Sequence, residues 1–199
     1  MKFRNVVLSS VLTLGLPVLV QAQSFACISA PANCAVAQGL LTWSLTGNVV
    51  TVSNAAGSSN KSFIRNVYFD TPLNTSVSYT GHTGLVTLSS GSNPALLPGG
   101  NGSFASDFSW SAANPGSKFG VNAGESISFT LTHITLANFT NGSARIGAHL
   151  QGLQGGASAS LVSFVTPVSA VPEPESYALL LAGLGLMCAV SRRHRAKRA

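Results

Sequence analysis

Ser126-Ile127-Ser128-Phe129-Thr130-Leu131-Thr132 alternates hydroxyl and apolar side chains without a break. A period of two places Ile127, Phe129 and Leu131 on one face and Ser128, Thr130 and Thr132 on the other. That is the pattern of a strand with one face in a core and one in water. The apolar phase shifts after His133, where Ile134 and Leu136 follow. One extra residue accounts for the shift. The spacing therefore predicts a strand over Ser126–Leu136 with a β-bulge near Thr132–His133.

The same reading extends outward in both directions. Ile146, Ala148 and Leu150 repeat the alternation. Gly39–Leu45 and Val49–Ser53 flank Thr46-Gly47-Asn48 and read as a hairpin. Further strands are expected at Phe63–Phe69, Ser76–Tyr79, Leu85–Leu88, Phe104–Trp110, Ala144–Leu150 and Ala159–Val165. Clusters of Gly, Asn, Ser and Pro separate them, and no stretch between residues 23 and 166 carries a helical period. The expected fold is all-β, an antiparallel β-sandwich of jelly-roll-like character. Residues 23–166 suit one domain of ordinary size.

Both ends of the chain differ from this domain. Lys2 and Arg4 precede an apolar run from Val6 to Val20, and Val20-Gln21-Ala22 supplies small residues after it. Basic, apolar, then small is the order of a secretory signal peptide, here residues 1–22, cleaved between Ala22 and Gln23. A retained membrane helix is the alternative, but Ser9, Ser10, Gly15 and Pro17 interrupt the run. At the other end, Tyr177–Val190 is uncharged. Fourteen helical residues reach roughly 21 Å, short of a hydrocarbon core of about 30 Å, so a transmembrane helix over 176–191 is a marginal span. Arg192, Arg193, Arg195, Lys197 and Arg198 follow in a basic tail, 192–199. Such a cluster stays cytoplasmic and leaves the preceding domain outside.

This layout changes the meaning of the net charge of +6. Seven of the eleven cations lie in the two end segments. Between Gln23 and Ala170, Lys61, Arg65, Lys118 and Arg145 stand against Asp70, Asp107 and Glu125, a balance of +1. A domain so nearly neutral lacks the clustered cations of a nucleic-acid surface, and no nucleic-acid partner is expected.

Candidate chemistry in the domain is sparse. Cys27 and Cys34 lie seven residues apart in an exported segment and are expected to form a disulfide. Two free thiols are the alternative, and Cys188 reads as an apolar residue of the tail. Asp70, before Thr71-Pro72, and Glu125, after Asn122-Ala123-Gly124, read as turn residues. Asp107 and Glu125 are the one carboxylate pair that a glycosidase could use, provided they face one cleft. His133 and His149 fall in successive expected strands and could face each other, yet no metal-ligand spacing links His82, His133 or His149 to another ligand. No nucleophile elbow, P-loop or dinucleotide fingerprint occurs. The expectation is a non-enzymatic domain with no catalytic residues, metal or cofactor. Trp43, Trp110 and Tyr79 could meet a polysaccharide but read first as core.

Between domain and apolar helix, residues 167–175 form a proline-rich linker. Its prolines hold Val171-Pro172-Glu173-Pro174 extended and free of internal hydrogen bonds. Pro-Glu-Pro, a Leu/Gly/Ala-rich apolar segment and a terminal arginine cluster, in this order at the C-terminus, resemble the PEP-CTERM sorting domain of Gram-negative bacteria. The resemblance covers Val171–Ala199. It implies recognition at Val171, Pro172, Glu173 and Pro174 by an exosortase, an integral membrane processing enzyme. The domain would be held transiently at the inner membrane on its periplasmic side, then pass to the cell surface or the extracellular space. The family's association with exopolysaccharide and biofilm makes a matrix polysaccharide an expected partner. Two other outcomes stay open: a secreted carbohydrate-active enzyme, and a bitopic membrane protein with an extracytoplasmic binding domain whose tail is never cut.

Overall fold

A computed structural model describes residues 22–57, 61–91, 95–99, 104–165, 182–184 and 187. The chain divides into two compact units, Met1–Thr166 and Pro167–Ala199. The first unit is antiparallel all-β, as its alternating patterns require.

Its strands are β1 (Gln23–Cys27), β2 (Leu41–Thr46), β3 (Val49–Asn54), β4 (Phe63–Asp70), β5 (Val77–His82), β6 (Leu88–Ser90), β7 (Ala95–Leu96), β8 (Ala105–Ser106), β9 (Phe108–Ala112), β10 (Val121–Asn122), β11 (Ser126–Leu131), β12 (Arg145–Gln151) and β13 (Ala159–Phe164). Among the described residues one sheet runs in the order β5-β11-β3-β2-β1-β13-β12-β4-β9-β6, with β10 beside β4, while β7 and β8 pair separately. The expected hairpin is β2–β3, with Trp43 opposite Val52 and Leu45 opposite Val50.

This sheet curls on itself. Phe129 of β11 and Trp110 of β9 stand near opposite ends of the strand order, yet their ring centroids are 4.9 Å apart. Phe69 of β4 meets Phe129 at 4.9 Å and Trp110 at 5.8 Å, both edge to face. The two packed layers are thus halves of one continuous sheet, joined through β1 and β13. Hydrophobic burial drives the closure: Trp43, Val50, Val52, Phe69, Ile127, Phe129, Leu131, Ile146, Leu150 and Leu161 are all essentially removed from water.

Each layer has a different outer face. On the β12–β4 side a second cluster forms from Tyr68, Leu97 and Phe104. The segment carrying β7 and β8 lies over this face. Gly147 permits the approach, since a Cβ there would meet the Phe104 ring at 3.0 Å. The other outer face, on β2, β3, β11 and β5, carries the outward half of each alternation, mostly hydroxyl side chains with Val49 of β3 among them.

Several expectations need correction. Among the described residues of this unit three short α-helices and a 3-10 turn (Gln154–Gly156) interrupt the β pattern: α1 (Pro31–Ala37), α2 (Gly116–Phe119) and α3 (Leu136–Thr140). Strand β11 stops at Leu131, and Thr132–His133 is not a bulge. His133 adopts a left-handed conformation (φ 55°) that ends the strand. Thr135 then opens α3 through a capping box with Asn138. The phase shift arises because Ile134 and Phe139 return to the core from a turn and a helix, Phe139 against Trp43 at 4.7 Å. The bulge in this ladder lies instead between Ser128 and Phe129, against β5. The expected strand Phe104–Trp110 is broken at Asp107 into β8 and β9. That expected at Leu85–Leu88 moves on to Leu88–Ser90, and that at Ser76–Tyr79 lengthens to His82. Strands β1, β7 and β10 were not expected.

Candidate functional site

The first candidate is the pair of chain segments that leads out of the domain. The expected cleavage boundary falls where the chain enters β1: Ala22 is exposed, and Gln23 is only 3% exposed. Gln23 pairs with Trp43 of β2, and Ser24 pairs with Phe164 of β13. The Trp43 indole N–H donates to the Ser24 carbonyl at 3.2 Å. Strand β13 ends at Phe164, shortly before the expected linker. Because β1 and β13 are antiparallel neighbours, the start of the domain and its exit toward the tail lie side by side.

A disulfide joins Cys27 at the end of β1 to Cys34 within α1, with a Cα–Cα distance of 5.4 Å. The intervening residues form the start of a helix rather than a plain turn. Asn33 adds a side-chain hydrogen bond to the Ser158 carbonyl at 2.9 Å. Together the two links fasten α1 to β1 and to the approach of β13.

The carboxylates do not converge. Asp107 accepts from the Thr71 amide at 2.8 Å, and its own amide donates to the Phe69 carbonyl near the end of β4. Glu125 folds back to accept from the Asn122 amide at 2.8 Å, and Asn122 pairs with Phe63 at the start of β4. From Phe63 to Phe69 the strand covers about 20 Å, well beyond the spacing of about 5–9.5 Å in glycosidase pairs. Glu125 is a turn residue as expected. Asp70 is not: it ends β4 opposite Arg145 of β12, whose guanidinium donates to its carboxylate through both Nε (2.9 Å) and Nη2. Arg145 also lies over the Phe104 ring at 5.0 Å.

His133 and His149 do not face each other. His133 is exposed, with Nδ1 3.3 Å from the Asn74 carbonyl oxygen. His149 is buried in β12, with Nδ1 3.1 Å from Ser160 Oγ and Nε2 3.3 Å from Gln151 Nε2. Ser160 Oγ donates onward to the Pro98 carbonyl. Since that hydroxyl's proton is committed, Nδ1 is the donor to Ser160 and Nε2 accepts from Gln151. Burial of the ring lowers the His149 pKa from its ordinary value. A cavity of about 210 Å³ beside it is lined by Ser29, Asn33, Pro98, Ser158 and Ser160. Several of its polar groups are already paired, such as the Ser160 amide with Ser29 Oγ at 2.7 Å. Among the described residues no three His, Cys, Asp or Glu side chains come close enough to hold a metal ion.

The second candidate is the outer face of β2, β3, β11 and β5. Alternation with the buried residues points Thr42, Ser44, Thr46, Thr51, Ser53, Ser126, Ser128, Thr130, Ser78 and Thr80 away from the core. Their strands keep them in lateral rows, with Thr42 opposite Ser53, Ser53 opposite Ser126 and Thr51 opposite Ser128. Hydrogen bonds join some neighbours, including Thr51 to Ser128 at 3.0 Å and Thr130 to Thr80 at 3.3 Å. No residue of these four strands on this face carries a formal charge. Sequence reading had the period of β11 but not the side-by-side rows, which depend on register. The aromatic candidates point elsewhere: Trp43 and Trp110 are buried, and Tyr79 is half-buried against Phe129, its pKa raised by burial.

The expected sorting residues Val171, Pro172, Glu173 and Pro174 and the expected basic anchor Arg192, Arg193, Arg195, Lys197 and Arg198 lie outside the described residues, as do residues 1–21 of the expected signal peptide. Residues 182–184 and 187 are helical and exposed. Among the described residues no helix is long and apolar enough to cross a membrane.

Residues 170–196 match the family model of the PEP-CTERM protein-sorting motif. The match includes the whole of Val171-Pro172-Glu173-Pro174 and the first three of the five basic residues. It implies an exported protein that an exosortase-type enzyme processes on its way to the cell surface. No curated protein and no solved structure matches the chain.

Proposed function

We propose that this chain, which carries the PEP-CTERM sorting motif, delivers a non-catalytic β-domain to the extracellular matrix, where the domain associates with a neutral exopolysaccharide. The signal segment starts export, and cleavage after Ala22 leaves Gln23 as the first residue. The apolar tail then holds the domain at the inner membrane, with its basic end on the cytoplasmic side. Processing near Pro172-Glu173-Pro174 removes the helix. The marginal length of Tyr177–Val190 supports a temporary hold more than a permanent anchor.

The observation that carries the domain's role is its uncharged face of ordered hydroxyls. A neutral polysaccharide presents hydroxyls and ring C–H groups with no formal charge to pair. Rows of Ser and Thr offer donors, acceptors and methyl groups to such a surface without burying an unpaired charge. The separation of Asp107 and Glu125 weighs against the glycosidase alternative.

Two measurements test this. Intact mass of the protein from producing cells, with and without the processing enzyme, should reveal loss of the tail only where the enzyme is present. Retention of Tyr177–Ala199 in both would leave an uncleaved bitopic protein. Sedimentation of the purified domain with the cells' own matrix polysaccharide should be lost when Thr51 and Ser128 are both changed to Glu. Co-sedimentation that is equally strong in this double variant would sink the proposed surface.

A further inference from the structure

We propose that the domain pairs with a second copy of itself through the free edge of β5, antiparallel about a twofold axis at Ser78, so that two sheets continue as one. This edge lies apart from the sorting motif, and pairing through it does not depend on what the hydroxyl face binds.

Strand β5 ends the sheet order: β11 stands on one side, and among the described residues no strand pairs with the other. The Thr132 amide donates to the Ser76 carbonyl at 3.0 Å, and the ladder then runs Val77 to Leu131, Ser78 to Thr130 and Tyr79 to Phe129. Bonding alternates along an antiparallel ladder. Ser76 and Ser78 therefore bond toward β11, while Val77 and Tyr79 turn their N–H and C=O groups to the open side. The bulge against β11 comes after Tyr79 and leaves this stretch regular.

Exposed edges are blunted by lysine, proline or shortness. The opposite edge, β6, has three residues, whereas β5 has six. From Leu73 through Leu85 there is no proline, acid, lysine or arginine. A patch that meets its own copy brings each of its charges near an identical one, and here there is none to repel. A charged partner would find nothing to pair with.

Leu73 and Leu85 lie in the connections that enter and leave β5. They are 93% and 69% exposed, more than any other large apolar side chain described in this unit. Antiparallel pairing of identical strands sets the start of one beside the end of the other. It brings Leu73 of each copy toward Leu85 of the other, and both are drawn out of water. The open backbone and the exposed leucines thus call for the same occupant.

The register follows from the alternation. Val77 exchanges both backbone hydrogen bonds with Tyr79 of the second copy, and Tyr79 with its Val77, which sets Ser78 opposite Ser78. The two Val–Tyr pairs lie on the core side and are a favourable cross-strand combination. On the other side, β2, β3, β11 and β5 of both copies form one hydroxyl-rich face of twice the width.

Ser78 would face its copy in a non-hydrogen-bonded pair, where Cα atoms approach to about 4.5 Å, within reach of a disulfide. Full-length Ser78→Cys, in a Cys188→Ser background, should therefore form a reducible dimer in producing cells, visible on non-reducing gels of envelope and medium. Thr46→Cys, exposed on the same face away from this edge, should not. Absence of the Ser78→Cys dimer, or an equal dimer from Thr46→Cys, overturns the proposal. A crosslink of any other mass assigns the edge to a different protein and overturns it too. Sedimentation of the purified full-length protein in detergent gives a second measurement. Ser78→Lys sets two ammonium groups opposite each other and should weaken self-association by about tenfold or more, with the far-ultraviolet spectrum unchanged. Thr46→Lys should associate like the parent. Equal association of Ser78→Lys and the parent, or a parent that stays monomeric, would refute pairing through β5.

Discussion

Phe129 is the residue on which the two layers meet. It touches Phe69, Trp110 and Tyr79, with centroid distances of 4.9, 4.9 and 5.7 Å. Phe129→Ala should cost about 3–5 kcal/mol in denaturant unfolding, because the cavity would lie between layers that cannot both relax into it. His149 acts through solvation. Burial holds its folded pKa below the ordinary value, so below about pH 6.5 the unfolded chain binds a proton that the folded one resists. Its contribution is therefore complete above that pH and is lost as the pH falls. Denaturation midpoints should drop as the pH falls below about 6.5, and His149→Gln should flatten this dependence. The role of His149 as a core residue could be read from its place in an alternating strand. Its pairing with Ser160 could not, since eleven residues and a turn separate the two.

At the scale of elements, β1 and α1 form one unit fastened by the Cys27–Cys34 bond. The bond closes a small loop, so its loss should cost only roughly 2–3 kcal/mol. Cys34→Ser should lower the midpoint of unfolding accordingly and raise hydrogen exchange first in β1 and α1. Equal exchange across the whole domain would argue against a local clamp. Helix α3 depends on a different device. Thr135→Ala removes its cap and should cost about 1 kcal/mol, with the Trp43 fluorescence altered through Phe139. Most long alternations were legible as strands. The short pieces were not: β7 and β10 have two residues each, too few to establish a period, and they exist only because a longer partner stands beside them. Helices α1 and α3 were hidden for a related reason. Seven and five residues are too few for a helical stripe to emerge, and capping and packing against the sheet hold them in place.

For the whole molecule, the sheet order couples the two ends of the domain. Strand β1 comes first in the mature chain and β13 last, and each completes the other's hydrogen bonding. Export of the N-terminal portion alone therefore leaves β1 unpaired on one side until β13 follows. A chain truncated after residue 158 should fail to give a cooperative transition. One truncated after residue 165 should melt close to the full-length domain. Comparable melting of the two would show that β13 is dispensable.

The local order of residues determined much by itself. A period of two specifies which side chains of β11 and β12 face a core, because successive side chains of a strand must point to opposite sides. The sorting motif at residues 170–196 implies a route through a membrane, and its charge and apolar residues partition independently of the fold before them. The sorting motif was readable for the same reason: its information lies in a contiguous stretch. Only tertiary structure decided which strands became neighbours. It placed Gln23 in the middle of a sheet, set Asp107 and Glu125 at opposite ends of β4, and aligned separate hydroxyls into rows. These relations depend on strand order and register, which are selected by how buried faces from distant segments fit around Phe129, and no local pattern encodes that fit.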